Sequence, residues 1–255
     1  MKAFQVAKYG RKEKLQLMDV ANPILAQDEV LIQVHAAGVN LLDSKVRDGE
    51  FKLILSYKTP FTLGHDVAGV VTQVGRNVTK FKIGDEVYAR PRDFRIGTFA
   101  ELVAVHEDDI AMKPKNLTME EAASIPLVGL TAWQVLVEKA DLKKGQKVFI
   151  QAGSGGVGTF AIQLARHFGA YVATTTSADN FELVKELGAD VIIDYKKDDF
   201  ETILKDYDLV LNSQNAETLE KSMRILKPGG KAISISGPID GDFAKEIKAN
   251  ALIKI

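Results

Sequence analysis

The second half of the chain alternates short apolar runs with amphipathic segments. A buried parallel strand is a nearly continuous apolar run, whereas an amphipathic helix repeats its apolar positions about every 3.6 residues. By these criteria the sequence predicts helices at 156–168, 179–187 and 216–226, and strands at 147–151, 171–175, 191–194, 209–211 and 231–236. This alternation favours an α/β fold with a doubly wound parallel sheet, whose ligand lies at the carboxyl ends of the strands.

The first half of the chain is patterned differently, with short segments in which apolar and polar residues alternate. These segments predict a hairpin from 3–6 and 15–17, and further strands at 29–36, 66–74, 84–88 and 98–105. Many short strands separated by glycine are typical of a barrel-like β domain, so residues 1 to about 110 are expected to be mostly β structure.

Two helices are predicted between these halves. Thr118 and Glu121 have the spacing of a capping box, in which each side chain hydrogen-bonds to the backbone N–H of the other residue. A second helix is expected from about Gly129 to Glu138. We therefore expect two domains, residues 1–125 and residues 126–255.

Composition narrows the class of protein. With 255 residues, 46% hydrophobic and 26% charged, the chain is expected to be a soluble globular protein. The net charge of −1 gives no reason to expect nucleic acid or an anionic membrane as a partner. The absence of cysteine excludes disulfides, thiolate metal sites and cysteine nucleophiles. No apolar run has the length of a signal peptide core or a membrane span, so we expect a cytoplasmic protein.

A glycine-rich loop follows the first predicted strand of the parallel sheet. It reads Gly153-Ser154-Gly155-Gly156-Val157-Gly158 and contains G-x-G-x-x-G immediately before a predicted helix. In this context the first glycine permits a tight turn, the second lets the backbone approach a pyrophosphate, and the third lets helix and strand pack closely. The loop therefore predicts a dinucleotide site. A glycine-rich turn without a ligand is the alternative.

The ends of the later strands suggest the nature of the dinucleotide. An NAD enzyme usually places an acid about 20 residues after the glycines, to bind the ribose hydroxyls. Here Thr176 and Ser177 supply hydroxyls instead, which leaves room for the 2′-phosphate of NADPH. Asp179 opposes this preference unless its side chain turns to solvent or caps the following helix. By the strand-end rule Ser213, Ser236 and Gly237 are weaker candidates for cofactor contact.

Several motifs together resemble the medium-chain dehydrogenase/reductase superfamily, and within it the zinc-free quinone oxidoreductase and enone reductase branch. They are AGVNLLD at 37–43, GHDVAG at 64–69, IGDEV at 83–87, PLVGLTAW at 126–133, the glycine loop, and LKPGG at 226–230. The resemblance covers nearly all of the chain in the family's order. It implies that residues 1–125 form a GroES-like β-barrel catalytic domain and that residues 126–255 form a Rossmann domain.

The resemblance also implies chemistry without a metal. Asn40 stands where zinc-dependent relatives have a cysteine, and His65 with Asp66 beside it does not make a zinc site. His65 either supports the barrel or takes part in the chemistry. Without a Lewis acid the substrate must already be electrophilic, so the resemblance implies NADPH-dependent reduction of quinones or α,β-unsaturated carbonyls.

Two side chains are candidates for the catalytic step. Asn40 can donate a hydrogen bond to developing oxyanion charge, or it can merely cap a turn. Lys45 can stabilise the oxyanion or supply a proton, or it can simply be solvated.

Two further residues match cofactor contacts of the family. Thr131 resembles a threonine near the nicotinamide carboxamide, although it can also be a helix hydroxyl bonded to the backbone. Tyr195 matches a tyrosine that flanks the 2′-phosphate in NADPH-using relatives, which usually carry a lysine where this chain has Asn180.

Family members continue beyond the strand at 231–236, with a last Rossmann strand and a segment that completes the catalytic domain. Because this chain stops at Ile255, the first domain is expected to be incomplete. A non-catalytic, dinucleotide-binding short form is therefore the alternative function. A methyltransferase is a third reading that leaves the β-rich half unexplained. The expected partner is a small electrophilic molecule, and the resemblance allows a homodimer.

Overall fold

A computed structural model describes residues 1–237, and the chain forms two units that divide within a helix, at Leu127. Two antiparallel sheets make up most of the first unit, Met1–Leu127. The three-stranded sheet has the order β2-β1-β4, with β1 Lys2–Val6, β2 Gln16–Asp19 and β4 Phe61–Thr62. The five-stranded sheet has the order β7-β3-β5-β6-β8, with β3 Glu29–Ala36, β5 Val67–Val74, β6 Glu86–Ala89, β7 Leu102–His106 and β8 Ile110–Met112.

The five-stranded sheet holds the core of the first unit. Alternate side chains of a strand point to opposite faces, and those of one face pack together. The buried cluster comprises Val30, Ile32, Val67, Val71, Val87, Ala89, Val103 and Val105. The register that aligns these strands pairs Val30 with Val105 and Ile32 with Val103. The predicted β segments of the first half are confirmed by these strands.

A helix interrupts the β structure of the first unit where the sequence predicted none. This helix, α1 Leu41–Asp48, begins after Asn40 and ends at Gly49, whose φ of 86° is left-handed. Val46 buries its side chain from the inner face. The sequence carried ordinary helix signals here, a polar residue at the N-cap and glycine after the last turn. The expectation of mostly β structure for residues 1 to about 110 assigned no element to this segment. The second helix of the unit, α2 Met119–Ala123, has the predicted capping box between Thr118 and Glu121.

In the described residues of the second unit, 128–237, the strands form a five-stranded parallel sheet of order β11-β10-β9-β12-β13. Its strands are β9 Lys147–Ile150, β10 Tyr171–Thr176, β11 Val191–Asp194, β12 Tyr207–Asn212 and β13 Leu226–Ser234. The helices are α3 Pro126–Trp133, which spans the division and continues as a π-helix at Gln134–Lys139, then α4 Gly156–His167, α5 Phe181–Glu186, α6 Phe200–Ile203 and α7 Ala216–Arg224. The predicted α/β fold with a doubly wound sheet is confirmed.

Strand β9 lies in the middle of this sheet and positions the glycine loop. Its residues Val148, Phe149 and Ile150 are fully buried. Val148 and Ile150 belong to a cluster with Ala161 and Ile162 of α4, whereas Phe149 belongs to another with residues from α6 and β12. Because both faces are covered, the three residues after Lys147 are all apolar, and the carboxyl end of the strand is fixed.

Three details of the second unit differ from the sequence prediction. The short helix α6 was not predicted, and β13 begins at Leu226, earlier than expected. Pro228 is tolerated in β13 because this strand lies at the edge of the sheet and shifts register there. The predicted helix at 179–187 is a 3-10 turn, Ala178–Asn180, followed by α5.

Of the two alternatives for Asp179, exposure to solvent and a capping role, the capping role is wrong. Ser177 is the N-cap of the 3-10 turn and Asn180 is the N-cap of α5, so Asp179 lies inside the turn and is exposed. The amide of Asn180 donates instead to the hydroxyl of Ser177, at 3.2 Å.

Among residues 1–237, no helix is long and apolar enough to cross a membrane.

Candidate functional site

The second unit has a cavity of about 690 Å³ at the carboxyl ends of its strands. Five residues predicted to bind the cofactor line it, from the glycine loop and the ends of β10 and β11: Ser154, Gly155, Thr176, Ser177 and Tyr195. The other lining residues are Ala152, Thr175, Asn180, Lys196, Lys197, Asp198, Asp199, Phe200, Gln214, Glu217, Thr218 and Lys221. The cavity therefore lies where a doubly wound sheet binds its ligand.

The glycines of the loop fall into two kinds. A Cβ on Gly153 would overlap the hydroxyl of Thr174, and a Cβ on Gly158 would overlap the backbone of Ala152 and Gly153. Gly155 is exposed at the N-cap of α4, its φ is −79°, and a Cβ there would lie 3.2 Å from the Ala152 carbonyl oxygen. The fold thus requires glycine at 153 and 158. At 155 the contact is tight but milder than the overlaps at 153 and 158, and this exposed glycine also lines the cavity, where a ligand can approach its backbone closely.

The loop is tied to the end of β10 by hydroxyl contacts. Thr176 donates to the hydroxyl of Ser154 at 2.8 Å, and the backbone N–H of Ala152 donates to the hydroxyl of Thr175 at 3.1 Å. Thr174 is fully buried and donates to the carbonyl of Ile150 at 2.6 Å. Of the threonines in this strand, Thr176 therefore lies at the cavity and Thr174 holds the sheet together.

Charged side chains from β11 onward line the other side of the cavity. Lys221 of α7 forms an ion pair with Asp199 at 2.7 Å; hydrogen bonding raises the pKa of Lys221 and lowers that of Asp199. Lys197 lies 3.7 Å from a carboxylate oxygen of Asp194. Lys196 has no carboxylate within ion-pair distance in the described part of the chain, so this ammonium group is available to an anionic ligand.

The other predicted cofactor residues do not line this cavity. Gly153, Gly156, Val157 and Gly158 form the loop and the first turn of α4 behind it. Ser213 donates to the carbonyl of Gln151, and Ser236 accepts from the amide of Asn212. Gly237 is the last described residue, and Thr131 is half-buried in α3. Their cofactor contacts stay predictions.

The sequence missed the contribution of α7 to the cavity. Gln214, Glu217, Thr218 and Lys221 lie on this helix or in the turn before it. The rule that ligands bind at strand ends predicted Ser213, the residue after β12. It made no prediction for the first turns of the following helix, α7, which also line the cavity. Polar residues at 214, 217, 218 and 221 were the available signal.

In the first unit, Asn40 belongs to a network of buried polar groups. Its backbone N–H donates to the carboxylate of Asp43 at 2.7 Å, and its amide donates to that of Asp66 at 2.9 Å. Asp66 also accepts from the backbone N–H of Leu127 at 2.9 Å. The other carboxylate oxygen of Asp43 lies 2.6 Å from Nδ1 of His65. Asp43, His65 and Asp66 are all buried, whereas Asn40 is half-buried.

This burial affects the ionisation of Asp66. Removal from water raises the pKa of Asp66 to about 6, although the hydrogen bonds from Asn40 and Leu127 oppose the rise. The nearby carboxylate of Asp43 raises the pKa further, and His65 lowers it. Asp66 is therefore mostly ionised at pH 7, when it can only accept hydrogen bonds.

Lys45 lies outside this network. It is half-buried on α1, and its ammonium group has no hydrogen bond or ion pair within residues 1–237. The structure therefore brings Asn40, but not Lys45, into the network with Asp66.

The residues at the position of the family's metal do not fit zinc. An asparagine amide replaces a thiolate, and both neighbouring carboxylates already accept hydrogen bonds. The described part of the chain has no group of three histidine, cysteine, aspartate or glutamate side chains that could hold a metal ion. His65 Nε2 is buried without a partner in this part, but a single nitrogen ligand does not make a zinc site.

Each of the two units contains a match to a known protein family. Residues 26–115 match the family described as alcohol dehydrogenase GroES-like domain, and residues 156–254 match the family described as zinc-binding dehydrogenase. The chain is 42% identical over 250 residues to 2-methylene-furan-3-one reductase of Solanum lycopersicum. It is 40% identical over 250 residues to the chloroplastic NADPH-dependent alkenal/one oxidoreductase of Arabidopsis thaliana. Each of these two alignments covers 94% of this chain and 63% of the relative, so the chain spans less than two thirds of their length.

A solved structure gives the same relationship. The quinone oxidoreductase from Coxiella burnetii is similar with a TM-score of 0.86 and 35% identity, over 97% of this chain and 79% of that one. The identity, the coverage and the two family matches agree with the glycine loop and with the replacement of the metal-binding cysteine by Asn40. The chain therefore belongs to the medium-chain dehydrogenase/reductase superfamily, in its quinone oxidoreductase and enone reductase branch.

Proposed function

We propose that this protein is an oxidoreductase that uses NADPH to reduce quinones or α,β-unsaturated carbonyl compounds without a metal. The observation that carries the proposal is the glycine loop at the strand-end cavity of the second unit, where the exposed Gly155 lines the cavity at the N-cap of α4. The relatives named above as reductases of a methylene-furanone and of alkenals or enones support this substrate class.

The second unit is the dinucleotide-binding domain in this proposal. The free N–H groups at the start of α4 bind the pyrophosphate, next to Gly155. The hydroxyls of Ser177 and Tyr195 and the ammonium of Lys196 bind the 2′-phosphate, because all three line the cavity and none is a carboxylate. The bound cofactor supplies a hydride from its reduced nicotinamide ring.

The first unit is the catalytic domain in this proposal. Asn40 donates a hydrogen bond from its amide to the substrate carbonyl oxygen, which gains negative charge during reduction. Lys45 is the second candidate for this oxygen, since its ammonium group is unpaired in the described residues. The hydrogen bond matters more here than in a zinc enzyme, because no Lewis acid polarises the carbonyl.

The proposal is tested by NADPH oxidation with a panel of quinones and enones. We expect turnover by the unmodified chain, loss of cofactor affinity in Gly155→Val, and a fall in kcat with unchanged NADPH affinity in Asn40→Ala. NADPH binding without turnover of any substrate would favour the alternative, a non-catalytic dinucleotide-binding form.

Cytoplasmic location and assembly as a homodimer stay predictions within this proposal. The Arabidopsis relative is named as chloroplastic, so relatives differ from the predicted location.

A further inference from the structure

The side chain of Asn40 lies at the N-cap of α1, where it forms a capping box with Asp43. Its Nδ2 donates to Oδ2 of Asp66, and among the described residues this is the only side-chain acceptor of that amide. The backbone N–H of Asn40 is held separately by Asp43. The side chain therefore has one fixed N–H, and its second N–H is left for another partner.

An ionised carboxylate fixes which end of the amide faces it. Because a carboxylate only accepts, the amide must turn its nitrogen, and not its oxygen, towards Asp66. A neutral side chain at this position could donate as well, and it would allow the opposite orientation. The orientation of Asn40 thus depends on the charge of its neighbour.

Burying a charged carboxylate in this network costs stability, which a purely structural role does not explain. Asp66 is completely buried, and an unpaired buried carboxylate destabilises a protein unless hydrogen bonds compensate. Holding the N–H of Leu127 needs an acceptor but not a charge, since an amide oxygen would serve. The interaction that does need an acceptor-only group is the one with Asn40.

We propose that Asp66 is a positioning residue, whose carboxylate orients the amide of Asn40 so that its second N–H is presented to the carbonyl oxygen of the substrate. This inference rests on the proposed function of Asn40 as the oxyanion donor. Asp66 itself does not contact the substrate. It acts as outer partners of catalytic groups do, by fixing the orientation of the residue that does.

A double-mutant cycle tests whether Asp66 acts through Asn40. Asp66→Asn alone should lower kcat about 10-fold, with little change in KM or NADPH affinity. In the Asn40→Ala background the same change should cost less than about twofold, because the residue to be oriented is gone. Equal losses in both backgrounds would overturn the proposal.

Glu29→Gln is the matched control. Glu29 is also a buried carboxylate of the first unit that accepts from a backbone N–H, that of Ala26, but it does not contact Asn40. This variant should change stability without the selective fall in kcat. A similar fall in kcat for Glu29→Gln would show that the loss reflects general damage to the unit, and would also overturn the proposal.

A measurement on the unmodified chain covers the case in which Asp66→Asn does not fold or the protein shows no turnover. The side-chain amide resonances of Asn40, assigned by their loss in Asn40→Ala, should move in step with the carboxyl carbon of Asp66 as pH is varied. The neighbouring ionisable groups are Asp43 and His65, so the carboxyl carbon of Asp43 is followed as well. If the amide resonances of Asn40 do not shift as Asp66 ionises, the proposed orientation is wrong.

The role of Asn40 as donor and the role of Asp66 as positioning residue are contradicted by different results. If Asn40→Ala leaves kcat unchanged, the proposed role of Asn40 is wrong and the positioning role falls with it. If Asn40→Ala lowers kcat but Asp66→Asn does not, Asn40 remains the donor and only the inference about Asp66 is wrong.

Discussion

Asp66 shows how a single residue can oppose the stability of the fold that contains it. Its pKa rises from 3.8 to about 6 in the folded protein because burial disfavours the charged form. For an acid with a raised pKa, the folded state keeps a proton that the unfolded state has already lost. Stability therefore falls as pH rises from about 4 to 6, and the penalty stays constant above that range.

The first prediction follows from this sign. A tenfold change in an ionisation constant corresponds to about 1.4 kcal/mol, so ionised Asp66 costs about 3 kcal/mol of stability at neutral pH. The free energy of unfolding of the unmodified chain, relative to that of Asp66→Asn, should thus decrease by up to about 3 kcal/mol between pH 4 and pH 7. Denaturant unfolding of both proteins across this range measures the difference. A difference that does not vary with pH would contradict the prediction.

The second prediction concerns cofactor preference, which is set by single residues of the cavity in the second unit. A 2′-phosphate carries nearly two negative charges, so its site must offer donors or cations and avoid carboxylates. Ser177 and Lys196 offer a hydroxyl and a cation, and Asp179 does not line the cavity. The acidic residues that do line it are Asp198, Glu217 and Asp199, of which Asp199 is paired with Lys221. We expect NADPH to bind more tightly than NADH by about 10-fold at low salt, and Ser177→Asp to reverse the order.

Lys196→Ala should reduce the ratio of NADPH affinity to NADH affinity. Lys197→Ala is the matched control, because the ammonium group of Lys197 already lies beside the carboxylate of Asp194. Calorimetric titration of each variant with both cofactors provides the measurement. Equal or tighter NADH binding by the unmodified chain would show that the hydroxyls and Lys196 do not select the phosphate.

At the scale of the element, different glycines of the loop before α4 serve the packing of the fold and the binding of a ligand. The third prediction uses the pair Gly155 and Gly158, each changed to alanine. Gly158→Ala should lose about 1–3 kcal/mol of stability because its methyl group would overlap the backbone of Ala152. Gly155→Ala should lose less stability than Gly158→Ala, because its Cβ would lie 3.2 Å from the Ala152 carbonyl oxygen and not overlap it, but it should bind NADPH more weakly; Gly155→Val should lose about 10-fold or more in affinity.

Thermal unfolding and calorimetry of the same samples distinguish these effects. If Gly155→Val bound NADPH as tightly as the unmodified chain, the pyrophosphate would not lie against residue 155.

The elements also show what the sequence could and could not reveal. Strands such as β3 and β9 were predictable because one or both faces are buried, which leaves a clear apolar period. Helices α1 and α6 were missed because they are short and their apolar positions are few. The start of β13 was missed since proline and glycine, which normally end a strand, are tolerated at a sheet edge.

The same contrast holds for the candidate sites. Ser154, Gly155, Thr176, Ser177 and Tyr195 could be named because the strand-end rule depends on local sequence. The bond between Asn40 and Asp66 joins residues 26 positions apart, and the contribution of Lys221 depends on how α7 packs. Such contacts come from the tertiary fold, so no local pattern revealed them.

At the scale of the whole molecule, the last prediction is that the chain works without a bound metal. It has no cysteine, Nδ1 of His65 is engaged with Asp43, and Asp66 is engaged with Asn40 and Leu127. Binding zinc here would require these hydrogen bonds to break, and a single histidine would hold the metal weakly. Elemental analysis should find no stoichiometric zinc, and a chelator should change neither the thermal midpoint nor NADPH oxidation. Stoichiometric zinc that disappears in His65→Ala, together with loss of activity on chelation, would show that the network around Asn40 is a metal site after all.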